Sequence, residues 1–137
     1  MEYSINYLAV LVAALSAFAL GAIWYGKPLF GKAWQKELGY TDEYLQSGNM
    51  AKTFGFSFVL TLIMALGMAY LFHSIAADKL NWKLGLTHGL YVGIAFVATS
   101  MGVNYSFQRK SFKLWAIDAG YQVVFLTLMG AILGAWH

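Results

Sequence analysis

The sequence predicts an all-α, polytopic membrane protein. It should hold four transmembrane helices in a bundle, plus a short interfacial amphipathic helix after the first span. Three observations carry this. Of 137 residues, 11% are charged and 60% hydrophobic, whereas a water-soluble domain carries about 25% charged residues. Mean hydropathy is +0.59. Apolar runs of about 20 residues, the length that crosses a bilayer core as a helix, recur along the whole chain, which reads as one membrane domain over residues 1–137.

The first span is expected at roughly residues 5–25, about 31 Å of helix at 1.5 Å per residue. It contains no charge. Ala13, Ala17 and Gly21 recur along one face, small enough to let a second helix approach closely. Ser16-Ala17-Phe18-Ala19 imitates a leader cleavage site. Met1-Glu2-Tyr3 supplies no basic leader, however, so the run is read as a permanent helix.

The segment at roughly residues 28–48 is amphipathic. Leu29, Phe30, Ala33, Trp34 and Leu38 recur at helical spacing between Lys32, Gln35, Lys36 and Glu37. Gly39 is a stop signal. Thr41 ahead of Asp42 and Glu43 reads as an N-cap followed by first-turn acids. A second short helix should start there and break near Gly48-Asn49.

The second span is expected at roughly residues 54–75, with Ser57, Thr61, Ala65, Ala69 and His73 on one face. A short loop makes it an antiparallel hairpin with the third span, roughly residues 84–107, which is long enough to tilt. Gly85, Gly89 and Gly93 form overlapping G-x-x-x-G units, a helix-packing motif in apolar sequence. The fourth span, roughly residues 114–136, repeats the small pair with Gly130 and Gly134. Ala17, Gly21, Gly85, Gly89, Gly93, Gly130 and Gly134 are thus the expected packing positions, within one chain or between chains.

Charge sets the expected orientation. Lys27, Lys32, Lys36, Lys52, Arg109, Lys110 and Lys113 lie on the connections after spans one and three; Lys79 and Lys83 lie on the other side. The positive-inside rule puts the basic loops in the cytoplasm and both termini outside. Lys32, Lys36, Arg109, Lys110 and Lys113 should meet anionic lipid headgroups. Trp24, Tyr25, Trp34 and Trp115 fall at the inner boundary, Trp82 and Trp136 at the outer one, where amphipathic rings are favoured. The net charge of +3 therefore reads as topology, not nucleic-acid binding.

Little in the chain points to chemistry. The absence of cysteine excludes disulfides, thiolate nucleophiles and Cys-ligated metals. No nucleophile–base pair, phosphate loop, H-E-x-x-H or dinucleotide fingerprint occurs, so neither enzyme activity nor a cofactor is expected. Asp118 is the acid inside a span, with Gln122 one turn on and Asn104 near the end of span three. Together they form a candidate proton or ion site. The competing reading pairs Asp118 with Arg109 or Lys110 at headgroup level. His73, His88 and His137 all fall towards the outer face, with Asp78 near the first two. They are candidate metal ligands by residue type only, because their spacing matches no ligand pattern; no metal is expected.

The runs Gly21-Ala22-Ile23-Trp24-Tyr25 and Pro28-Leu29-Phe30-Gly31-Lys32-Ala33-Trp34, with Asn104-Tyr105-Ser106-Phe107, Ala119-Gly120-Tyr121, Met129-Gly130-Ala131-Ile132-Leu133 and Trp136, carry a resemblance. The chain resembles a family of small bacterial four-helix membrane proteins known only as a domain of unknown function, with the pattern W-Y-x-x-P-x-x-F-G-x-x-W. The resemblance implies four spans and a bacterial inner membrane. It implies no activity and no functional residue. Two functions follow as expectations. One is a non-enzymatic structural or accessory module that self-associates or joins other membrane subunits. The alternative is a small proton-coupled transporter or channel using Asp118, Gln122 and Asn104.

Overall fold

The computed structural model describes residues 4–137. Met1, Glu2 and Tyr3, which carry the argument against a basic leader, lie outside the described residues. The chain forms α1 (Tyr7–Trp24), α2 (Gly31–Leu38), α3 (Asp42–Ser47), α4 (Met50–Phe72), α5 (Trp82–Val92), a π-helical segment (Gly93–Ala98), α6 (Thr99–Phe107) and α7 (Phe112–Ala135). Among the described residues all regular structure is helical, and four stretches are long and apolar enough to cross a membrane: α1, α4, the continuous run Trp82–Phe107, and α7.

Local capping sets where the spans begin. Asn6, Asn49, Asn81 and Ser111 each accept a hydrogen bond from the backbone N–H three residues on, and Thr41 does the same for α3. Each cap serves one of the N–H groups that a helix start leaves unpaired. Hydropathy alone places the starts of α4, α5 and α7 at residues 54, 84 and 114. The caps move them earlier, to Met50, Trp82 and Phe112. At the other end of α2, Gly39 takes a left-handed φ of 71°, the conformation that ends a helix most cheaply in glycine.

The third span contains a π-helical segment, Gly93–Ala98, that the hydropathy pattern does not predict. A wider turn interrupts the regular i→i−4 ladder, and two side chains bond to carbonyls of this segment. Thr99 Oγ1 donates to the Ala95 carbonyl at 2.8 Å, and Trp115 Nε1 donates to the Ala98 carbonyl at 2.9 Å from α7.

The bundle is organised around α7, which packs on α1, α4 and the whole third span. Its most extensive neighbour is α5. There the backbones meet directly. A methyl on Gly85 would strike the Gly130 carbonyl oxygen, one on Gly89 the Leu126 carbonyl oxygen, and one on Gly134 the Asn81 carbonyl oxygen. The glycine stripes of spans three and four are therefore spent on each other inside one chain. The core continues from that seam into Phe125, Leu126, Met129 and Leu133 of α7, Ala9, Val10, Ala13, Ala14 and Ala17 of α1, and Ala65, Met68 and Phe72 of α4.

α4 is the outlying helix. Its buried residues, Ala65, Met68 and Phe72, all lie in the half remote from the basic loops. In its other half residues 51–56 are exposed. That half keeps to α1, where Phe18 stacks on Phe58 at 5.5 Å and meets Phe54 edge-on at 6.5 Å.

The seam gives a direct test. Gly89→Ala is expected to destabilise by about 1–3 kcal/mol, the range for overpacking a close contact. Gly67 has nothing within 4 Å of the added carbon. Gly67→Ala should therefore be neutral or stabilising, by at most about 1 kcal/mol of helix propensity. Thermal unfolding in mild detergent, with both variants side by side, measures the difference.

Candidate functional site

Side chains with specific polar contacts converge at the basic end of the bundle, where α1 leaves the apolar zone. The exit itself is tightly built. Pro28 has no N–H to place, Phe30 N–H bonds to the Trp24 carbonyl at 3.0 Å, and Gly31 N–H bonds to Gly26 at 3.1 Å. A methyl at Gly31 would collide with the Tyr25 carbonyl oxygen. This wrap folds Phe30 back on Trp24, ring centroids 4.8 Å apart, and sets Trp34 edge-on to Tyr25 at 5.8 Å. α2 then runs onto the start of α7. Ser111 Oγ donates to Glu37 at 2.7 Å while accepting the Leu114 N–H at 3.0 Å. The acid thus sits at the positive end of α7, where a negative charge is favoured.

Asp118 lies at the centre. Each carboxylate oxygen accepts one phenol hydroxyl: Oδ1 from Tyr25 at 2.7 Å, and Oδ2 from Tyr105 at 2.6 Å. The donors come from the ends of spans one and three, so one side chain of span four binds both. All three residues are half-buried. The pairing with Arg109 or Lys110 considered from sequence is replaced by these phenols. Lys110 Nζ instead lies over the Tyr105 ring, 5.6 Å from its centroid. Arg109 is exposed and occupies a left-handed turn, φ 57°, that aims the chain from α6 into α7. Phenols engage a carboxylate within a span more cheaply than a cation does, since no second charge has to be desolvated.

Around this tie run two reciprocal staples between α1 and α7. Trp24 Nε1 donates to the Ile117 carbonyl at 2.9 Å, and Tyr121 Oη donates to the Ala17 carbonyl at 2.7 Å. A glycine makes room for each ring. An added carbon at Gly120 would sit 3.1 Å from Trp24, one at Gly21 3.0 Å from the Tyr121 hydroxyl, and one at Gly102 3.2 Å from Trp115 Nε1. Gly21 therefore makes room for a side chain of a neighbouring helix, the Tyr121 hydroxyl of α7. Ala17 is both a buried packing residue and the acceptor of the Tyr121 bond.

The other candidate residues fall as follows. Gln122 is half-buried, one turn beyond Asp118, and makes no hydrogen bond among the described residues. Asn104 is exposed and is not a partner of Asp118. Lys32, Lys36 and Lys113 are exposed on the same side. Trp82 and Trp136 are exposed at the opposite end, where Lys83 lies over the Trp82 ring at 5.7 Å. His73 caps α4. His88 Nδ1 contacts the Leu84 carbonyl at 2.8 Å, and His137 bridges the Gly134 and Ala77 carbonyls at 2.9 and 3.0 Å. Among the described residues no three His, Asp or Glu side chains come together as a metal site. A cavity of about 20 Å³, room for one water, lies at this opposite end between Asn6, Phe72, Leu133 and His137.

Sequence reasoning found Asp118 and missed its partners. Tyr105, Tyr121, Gly102 and Gly120 carried a usable signal. A carboxylate inside a span needs donors, and a buried tyrosine needs an acceptor at the same depth.

The tie predicts coupling. Tyr25→Phe and Tyr105→Phe should each cost about 1.5–3 kcal/mol, the worth of a hydrogen bond to a charged group. In an Asp118→Leu background the same substitutions should cost much less. Double-mutant cycles on thermal or denaturant unfolding measure the coupling energy.

No curated protein and no solved structure matches the chain. Residues 8–134 match the family described as "Protein of unknown function (DUF1761)". That stretch takes in all of the geometry above, from the α1 exit to the Gly130–Gly134 seam. The four-span chain with its Tyr25–Asp118–Tyr105 junction belongs to this family of unknown function, DUF1761.

Proposed function

We propose that the protein is a non-enzymatic structural or accessory module of a bacterial inner membrane. Its basic loops face the cytoplasm, and it works by self-association or by joining other membrane subunits. The observation that carries this reading is the state of Asp118. Both of its oxygens are engaged by phenols from two other spans, which is how an acid serves as a fastener. A proton or ion relay needs a carboxylate open to a wet path on at least one side. Trp24, Trp115 and Tyr121 support the same view, since each spends its polar atom on a backbone carbonyl of a neighbouring helix. Asn104, which the transporter alternative needs beside Asp118, is exposed and apart from it. The orientation rests on the charge bias of the loops.

Reconstitution tests the reading. Vesicles holding the purified protein and a trapped pH-sensitive dye, given an acid step outside, should leak protons at the rate of protein-free vesicles. Asp118→Asn should leave that rate unchanged. A protein-dependent flux that Asp118→Asn abolishes would establish the transporter alternative instead.

A further inference from the structure

One hydrogen bond gathers cations from two elements far apart in the sequence. Glu37 of α2 accepts from Ser111 at 2.7 Å, which holds α2 against the start of α7. Lys36 precedes Glu37, and Lys32 lies one turn back on the same face of α2. Arg109, Lys110 and Lys113 flank Ser111 in the chain. All of these cations are exposed, and among the described residues none forms an ion pair. The acids of the α2–α3 segment, Glu37, Asp42 and Glu43, are fewer, and the first two already accept from Ser111 and Gln35.

The same turn carries the barest rings of the molecule. Phe107 is 86% exposed and Phe112 78%, more than any other large apolar side chain among the described residues. Phe107 closes α6 and Phe112 opens α7, so both rings stand where two spans end. Trp115 packs on Phe112, ring centroids 5.3 Å apart. Arg109 and Lys110 lie between the two rings in the chain. With the rings among acyl chains, these cations come to the phosphate layer, their long stems snorkelling to it. A soluble acidic partner would answer the charges alone. A phospholipid answers both, with acyl chains for the rings and a phosphate for the cations. A zwitterionic headgroup brings its own cation, so the excess of positive charge selects an anionic one.

We propose that α2 and the α6–α7 turn form a discrete site for one anionic phospholipid. Its phosphate is held between Lys32 and Lys36 on one side and Arg109, Lys110 and Lys113 on the other, and its acyl chains lie against Phe107 and Phe112. Because the cations come from both elements, the site is complete only with α2 docked, and the bound lipid in turn stabilises the docked arrangement. A merely basic loop over an anionic surface would need no particular placement of α2. The site is independent of which subunits the protein joins.

Native mass spectrometry of the full chain in mild detergent tests this. The protein is offered phosphatidylglycerol and phosphatidylcholine of the same acyl chains in equal amounts, and the retained lipid is read directly. The wild type should hold one phosphatidylglycerol in preference. Arg109→Asn with Lys110→Gln and Lys113→Gln should lower that preference by about fivefold for each cation removed. Asparagine is used at 109 because it tolerates the left-handed φ of 57° there. Lys79→Gln with Lys83→Gln, the same chemical change at the opposite end, should leave it intact. Should the triple variant fold poorly, Lys32→Gln with Lys36→Gln, on the exposed face of α2, reads the same loss. Glu37→Ala separates a built site from diffuse attraction. It removes a negative charge, so a diffuse basic surface would retain more phosphatidylglycerol, whereas loosening α2 from Ser111 should make the site retain less. Equal retention of the two lipids, an equal loss in the Lys79 and Lys83 variant, or a gain in Glu37→Ala would overturn the inference. So would displacement of the lipid by inorganic phosphate or by a soluble poly-glutamate peptide.

Discussion

Three of the four spans meet at one carboxylate. Asp118 lies within α7, a helix long and apolar enough to span a membrane, and in hydrocarbon a charge that lacks donors costs several kcal/mol. Tyr25 and Tyr105 supply a donor to each oxygen. The rest of the basic end follows from bringing those two rings within reach. α1 must turn sharply at Gly26 and Gly31, α6 must end in the Arg109 turn, and Gly21 and Gly120 must stay small enough to admit Tyr121 and Trp24. Thr99 and Trp115 likewise donate to carbonyls of the π-helical segment, those of Ala95 and Ala98.

The two ends of the bundle are thus held by different means. Towards the basic side, aromatic side chains reach across and bond to backbone or carboxylate. Towards the opposite side, glycines let α5 and α7 touch backbone to backbone, and His137 closes the end against the loop carbonyl of Ala77. Lipid supplies no hydrophobic drive for helices to associate, so packing and hydrogen bonds have to do it. α4 takes part in only one of the two zones. That is why the half of it nearer the basic loops is exposed.

Much of this was legible in the sequence. Four spans, the amphipathic α2, the Thr41 cap and the importance of Gly85, Gly89, Gly93, Gly130 and Gly134 follow from hydropathy, helical period and residue size. What was not legible depended on pairing between spans. A stripe of glycines says that something comes close but not what. Span three and span four use theirs on each other, while Gly21, Gly102 and Gly120 each seat an aromatic ring. The early starts of α4, α5 and α7 lay in the capping residues Asn49, Asn81 and Ser111, which a hydropathy window averages away. One donor to the π-helical segment, Thr99, is local, but the other, Trp115, lies on another helix and cannot be read from span three alone.

Whether Asp118 is a fastener can be seen in the bilayer itself. Solid-state NMR on protein labelled at the Asp118 carboxyl carbon and at the tyrosine ring carbons reports their proximity and the access of water to the carboxylate. The account predicts dipolar contacts from Asp118 to both Tyr25 and Tyr105 and no water cross-peak to the carboxyl carbon. A strong water cross-peak with either ring out of contact would contradict it.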